Sequence, residues 1–278
     1  MSGPSGEDGL TPDGQLDLFS GSGFSHAPAP EQPARPTISA PAELDDAALL
    51  AAIPASGVAD GPSLAEEAGR RRLVAAVPVL EDYCRRFSGY GLSRALPEQV
   101  AALDALATIG GPDAARSVAQ IITRGWVQGP AVASAAAAAA HLKSRLPANT
   151  VLTLLRHAAP TVRRHACVLA RGGAEVIATL TDLLGDLHAD VRIEAACALG
   201  RMGRAQAVPL LKLVLGQAPT LPVIQAVAAV ADQDCIVLLG RIAEGAAPDL
   251  AAAAVDALEA VEHPLAARRL ALLRQARC

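Results

Sequence analysis

The chain has 278 residues; 51% are apolar, only 2% are aromatic, and the formal net charge is −4. Any core must be built mainly from Ala, Leu and Val, small side chains that suit closely approaching helices, Ala being the strongest helix former. The composition argues against a base-flipping enzyme, which needs aromatic side chains around the extruded base. It also holds no uncharged apolar run long enough to span a bilayer, residues 135–140 being a short poly-Ala stretch.

Charge is unevenly placed. Residues 1–60 carry nine acids against one base, Arg35, whereas residues 61–278 carry 19 acids and 23 bases. An acidic leader on a mildly basic body can fold back on it or compete with an acidic partner for it. The five cysteines (Cys84, Cys167, Cys197, Cys235, Cys278) are odd in number and show no C-x-x-C spacing, so they are expected as buried, reduced thiols without metal. Only two of the 24 basic residues are lysines, a bias expected of a bacterial coding sequence. The acidic, polar N-terminus has no signal-peptide pattern, and a cytoplasmic location is expected.

Residues 1–42 are rich in Gly, Pro, Ser and acids and hold too little apolar surface to offset the entropy of ordering, so a disordered acidic tail is expected. Within it, Gln15-Leu16-Asp17-Leu18-Phe19 is the one compact apolar cluster, set between Gly14 and Ser20-Gly21. Leucines and a phenylalanine in a segment without a core suit insertion into a partner's groove. The pentapeptide resembles the bacterial sliding-clamp-binding motif, Q-L-(S/D)-L-F, at all five positions. That resemblance implies that Gln15 hydrogen-bonds at the rim of the clamp pocket and Leu16 makes a supporting contact. Asp17 would face outward, while Leu18 and Phe19 fill the hydrophobic subsite. A plain linker, or a peptide capping the chain's own solenoid, is the other reading.

Helical patterning begins at residues 43–53, breaks at 54–62, and resumes from Ser63 as an N-cap. It then runs to about Phe87 with a bend near Pro78, and stops at Gly89-Tyr90-Gly91. Residues 43–94 are expected to form an N-terminal helical cap. Tyr83, Phe87 and Tyr90 recur on one helical face beside Arg70-Arg71-Arg72 and Arg85-Arg86, a stripe suited to packing the cap onto the helices downstream of it.

From Ala95 an internal repeat governs the chain. Thr161, Asp190 and Asp249 each precede an aliphatic residue, as N-caps do. Buried positions then recur at helical spacing: Val162, Ala166 and Leu169, then Val191, Ala195, Leu199 and Met202. A second apolar helix comes after each turn, at 175–184, 207–215, 235–242 and 264–273. Glu98, Val132, Val162, Val191, Pro222 and Leu250 occupy equivalent positions, with a period near 30. Two helices per period imply stacked antiparallel hairpins, an all-α solenoid of about six units over residues 95–278, because one hairpin cannot bury its apolar face alone.

Asp190-Val191-Arg192, Ala198-Leu199-Gly200 and Ala207-Val208-Pro209-Leu210-Leu211 resemble HEAT repeats in their short bacterial form. The resemblance covers roughly residues 95–277 and implies a helical-hairpin scaffold; it does not imply an activity. HEAT-like DNA glycosylases and bilin lyases use similar repeats. Between residues 141 and 212 ten bases face five acids. Lys143, Arg145, Arg156, Arg164, Arg171, Arg201, Arg204 and Lys212 are the candidate patch for nucleic acid or another partner. Arg163 and Arg192 instead hold a repeated position suited to bonding acids and carbonyls of adjacent turns.

No catalytic set emerges. None of the six histidines is followed by Glu, so the His-Glu pairs by which HEAT-repeat hydroxylases hold iron are missing, and there is no H-E-x-x-H or P-loop. Glu244 with Asp249, and Asp232 with Asp234, read as solvent-facing turn acids rather than a dyad. A non-enzymatic adaptor without cofactor or metal is expected. It would bind a macromolecule through its solenoid and dock to the replication sliding clamp through residues 15–19, in DNA replication or repair. The alternatives are a DNA-binding solenoid using the patch at 141–212 and a repeat-based chromophore lyase; no membrane role is expected.

Overall fold

The structure is a computed structural model that describes residues 40–276. The pentapeptide at 15–19, nearly all of the expected disordered tail, and Cys278 lie outside those residues. Fifteen α-helices and four short 3-10 turns make up the described part, which contains no strand. No helix among them is long and apolar enough to cross a membrane.

A short helix, α1 (Asp46–Ala55), leads into seven hairpins. These are α2/α3 (Gly61–Arg70, Val77–Arg86), α4/α5 (Pro97–Ile109, Gly111–Thr123), α6/α7 (Val132–His141, Ala148–Leu155) and α8/α9 (Pro160–Leu169, Ala174–Leu183). Then come α10/α11 (Ala189–Arg201, Val208–Gln217), α12/α13 (Leu221–Ala228, Gln233–Gly245) and α14/α15 (Pro248–Ala260, Pro264–Ala276). The first helices of successive hairpins pack side by side in one unbroken row from α2 to α14. The second helices form the other layer, in the groups α1–α3–α5, α7–α9 and α11–α13–α15, with little contact between α5 and α7 or between α9 and α11.

The unbroken row follows from its side chains. Residues Ala195 to Gly200 of α10 are all buried, so this helix is enclosed on nearly every side by α8, α12, α9 and α11. Alanines do the same service in α4 (Ala101, Ala102, Ala105) and α6 (Ala135, Ala136, Ala138, Ala139). Gly200 marks the closest approach: a Cβ there would lie 2.8 Å from the Ala226 carbonyl oxygen of α12 and 2.8 Å from Leu211 Cδ1.

The all-α solenoid and its six repeats from α4 to α15 agree with the sequence reading, and the positions aligned by period all fall in the first turn of a first-row helix. Three local expectations are corrected. Ser63 does not cap the second helix but lies inside its first turn, α2 starting at Gly61 after Asp60. The segment from Ser63 to Phe87 is two antiparallel helices, not one bent at Pro78. Arg72 adopts a left-handed conformation (φ 54°) that ends α2, and Pro78 sits in the first turn of α3, where a missing N–H costs nothing. This pair packs against α4 and extends the stack by a further hairpin. Thr161, Asp190 and Asp249 lie inside the first helical turn and make no capping bond. Side-chain caps form instead from Asp45 to the Ala48 N–H (2.7 Å), Asp232 to the Cys235 N–H (2.8 Å) and His263 to the Leu265 N–H (3.1 Å).

Gly200→Val should therefore be costly in spite of valine's better helix propensity. Forcing a branched side chain between α10, α11 and α12 should lower unfolding stability by about 2 kcal/mol, read by urea denaturation, with helix content by circular dichroism unchanged.

Candidate functional site

Because the chain reverses at every helix, turns within hairpins fall along one edge of the stack and turns between hairpins along the other. The between-hairpin edge is closed by a ladder. Arg163, on the first turns of α8, donates to the carbonyl oxygens of His157 (2.9 Å) and Ala158 (2.7 Å), then reaches the Asp186 carboxylate of the next connection at 2.8 and 3.0 Å. Asp186 also accepts the His188 N–H (2.9 Å), and Arg192 donates to the Asp186 (2.8 Å) and Leu187 (3.2 Å) carbonyls. Arg163 and Arg192 thus take the structural role that their repeated position suggested. The Asp186 side chain is only 6% exposed, and hydrogen bonding from Arg163 holds its acidity well below the usual carboxylate range, at about 2.

The eight-residue candidate patch divides. Arg156 donates to Glu175 (3.0 Å), and Lys212 spans Asp234 (2.8 Å) and Asp232 (3.2 Å). Both are committed to ion pairs that join neighbouring hairpins. Arg164 sits on the body of α8, 3.5 Å from His165 Nε2. Burial, helped by Arg164, pushes the His165 ring down from its ordinary acidity. These three leave the patch. Asp232 and Asp234 face solvent, as read from the sequence, with side chains 42% and 73% exposed; Asp232 also caps α13, and both pair with Lys212.

Lys143, Arg145, Arg171, Arg201 and Arg204 lie at the within-hairpin connections of three successive hairpins. They are exposed, and none has a carboxylate within ion-pair distance among the described residues. The turn segments 142–147, 170–173 and 201–207 carry these five bases and no acid. Lys143 has φ 52°, at the position after α6 where the corresponding turn after α10 uses Gly203 (φ 68°). In both, the following N–H bonds back into the last turn, Ser144 to Ala139 (2.9 Å) and Arg204 to Leu199 (3.0 Å). Holding a lysine rather than a glycine there costs about 1 kcal/mol. Such strain is tolerated where the side chain itself is needed.

Elsewhere the arginine run at the N-terminal end is structural. Arg71 binds Glu67 (2.6 Å) and Asp46 (2.9 Å) and donates to the carbonyls of Pro41 (3.1 Å), Ala42 (3.1 Å) and Leu44 (2.8 Å), strapping residues 41–46 onto α2. Tyr83 is buried and meets Phe87 edge-on at 5.2 Å, but Tyr90 is 75% exposed and packs nothing. Cys84, Cys167, Cys197 and Cys235 are buried thiols, and desolvation raises the first three to about 12 and Cys235 to about 11. Among the described residues no three His, Cys, Asp or Glu side chains converge as metal ligands would.

Residues 148–231 match the family model for HEAT repeats, the part of the stack from α7 to just beyond α12. No curated protein matches the chain in sequence. Among solved structures, human deoxyhypusine hydroxylase in complex with glycerol is similar over 78% of this chain and 84% of that chain, at 19% identity and a TM-score of 0.36.

Breaking the ladder should show in the acid limb of stability. A carboxylate whose acidity is held at about 2, against 3.8 ordinarily, stabilises the fold above pH 3.8, and that contribution is lost as pH falls towards 2. Arg163→Ala should cost on the order of 1–2 kcal/mol at pH 7. It should also flatten the decline between pH 4 and 2, as measured by urea midpoints across that range.

Proposed function

We propose that this chain is a non-enzymatic scaffold that docks to the bacterial replication sliding clamp through residues 15–19 and presents its helical stack to a second macromolecule. The observation that carries the reading is the agreement of Gln15, Leu16, Asp17, Leu18 and Phe19 with the clamp-binding pattern at every position, upstream of a HEAT-type stack. Stacked hairpins offer an extended surface and no enclosed centre, a form suited to binding other proteins. Burying Leu18 and Phe19 in a clamp pocket would contribute roughly 1.5–3 kcal/mol each before ordering costs, consistent with micromolar affinity. Titrating purified bacterial clamp into the full chain by calorimetry should give saturable binding. Leu18→Ala combined with Phe19→Ala should abolish it without changing thermal unfolding; equal binding by the double variant refutes the reading.

One observation favours a second reading, duplex DNA as the stack's partner: five bases and no acid on three successive turns, spaced by helix packing of about 10 Å. Backbone contacts of that kind are sequence-independent and salt-dependent, and they need no aromatic stacking. Replacing Arg171 and Arg204 by Ser and Lys143 by Gly should weaken duplex binding at least tenfold and shallow its salt slope by about three, one unit per lost phosphate contact. Fluorescence anisotropy from 50 to 200 mM salt reads both, and affinity unchanged by the triple variant excludes the edge.

A further inference from the structure

Glu98 breaks the register of the repeat. The equivalent positions are Val132, Val162, Val191, Pro222 and Leu250, all apolar, yet here a carboxylate occupies the first turn of α4. It is only 2% exposed, and its Oε2 has no hydrogen-bond partner among the described residues. A buried, unpartnered carboxylate destabilises a fold, and an aliphatic side chain would avoid that cost.

Glu98 lines a cavity of about 480 Å³ at the N-terminal end of the stack, together with Val58, Phe87, Tyr90 and Leu96. Val58 and Tyr90 are exposed, at 68% and 75%, as is the neighbouring Leu92 at 69%, so large apolar side chains crowd the mouth of the cavity. Two arginines border it, and neither pairs with Glu98. Arg86 is engaged with the carbonyl oxygens at the end of α1, Pro54 (3.0 Å) and Ser56 (3.1 Å), and lies 5.4 Å from the Phe87 ring centre. Arg94 stands exposed at the rim. The loop carrying Tyr90 and Leu92 is held in place from below. Gly129 (φ 56°) passes so close to the Gly91 and Leu92 carbonyls that any Cβ would collide with them, and Gln99 ties the Cys84 (3.1 Å) and Trp126 (2.8 Å) carbonyls together. The cavity is therefore preformed.

We infer that this cavity is a docking site for an arginine side chain of a partner polypeptide, its guanidinium on the Glu98 carboxylate and its aliphatic stem between Val58, Phe87 and Tyr90. The chemistry selects arginine for two reasons. A planar guanidinium offers two parallel N–H donors to a carboxylate and stacks on aromatic rings, whereas an ammonium is compact and strongly hydrated. An apolar cavity rimmed by Tyr90 and Phe87 also favours the more weakly hydrated cation. Arg94 then sits where it can meet a carbonyl or acid of the same partner segment. The inference uses none of residues 15–19 and none of the basic edge, and it stands or falls without them.

The test uses the full chain with Nα-acetyl-arginine amide as probe, followed by NMR of the Tyr90 and Phe87 rings and the Leu96 methyls. Saturable shifts at these three residues are expected. The citrulline analogue, same shape without charge, should bind at least tenfold more weakly, and the lysine analogue more weakly than arginine. Glu98→Gln should weaken the arginine probe at least tenfold, and Tyr90→Ala, an exposed position safe for folding, at least threefold. Glu98→Leu should abolish binding while raising the thermal midpoint. The inference is overturned by the absence of saturable shifts, by citrulline or lysine binding as well as arginine, or by unchanged affinity in Glu98→Gln. Should Glu98→Gln not fold, unchanged affinity in Tyr90→Ala overturns it alone.

Discussion

Helices built largely from alanine can bury little area per residue, so they must approach one another closely to make a core at all. That constraint shapes the first row of the stack, where Ala101, Ala105, Ala135, Ala139, Ala195 and Ala198 are all essentially inaccessible. The second-row helices add larger buried side chains, Leu155, Leu180, Leu211 and Leu215, to this core, beside first-row leucines such as Leu103. Close approach also explains why a glycine stands at position 200, where α10 meets the Ala226 carbonyl. Once the row is continuous, hairpin turns are forced into register along the two edges.

The two edges use charge in opposite ways. Between hairpins, Arg163 bonds the carbonyls of its own connection and the Asp186 carboxylate of the next, while Arg192 bonds the Asp186 and Leu187 carbonyls, so positive charge is used to fix the connections. Within hairpins, Lys143, Arg145, Arg171, Arg201 and Arg204 project without such partners among the described residues. Surface ion pairs contribute little to stability, so the difference between the edges matters less for folding than for what each can recognise. One edge is electrostatically satisfied; the other retains its field.

The N-terminal end differs from both. It gathers Tyr83, Phe87 and Tyr90, the strap formed by Arg71, and an acid at a position where the other repeats are apolar. Among the described residues, three of the five buried side-chain polar atoms that lack partners, on Tyr83, Glu98 and Gln99, belong to this end.

The sequence by itself determined the architecture: a period near 30, alternating apolar faces and turn residues required an all-α stack, because short-range helical signals repeat and only stacking can bury their faces. It also identified Arg163 and Arg192 as structural, since recurrence at one register position reports a recurring contact. The division of the basic patch was not legible in it. Whether Arg156 and Lys212 meet an acid depends on residues 19 to 22 positions away, brought near by the hairpins. Arg145 and Arg204, equally basic in sequence, lie on within-hairpin turns that carry no acid. The hairpin at α2/α3 was likewise hidden, because it turns on a left-handed Arg72 where a glycine would have announced the break. In the sequence Glu98 was only one of six equivalent repeat positions; that its carboxylate is buried is decided by the packing around it. Local pattern decides which segments are helices and how they stack. Pairing, burial and exposure of individual charges are decided only when distant segments share the same space.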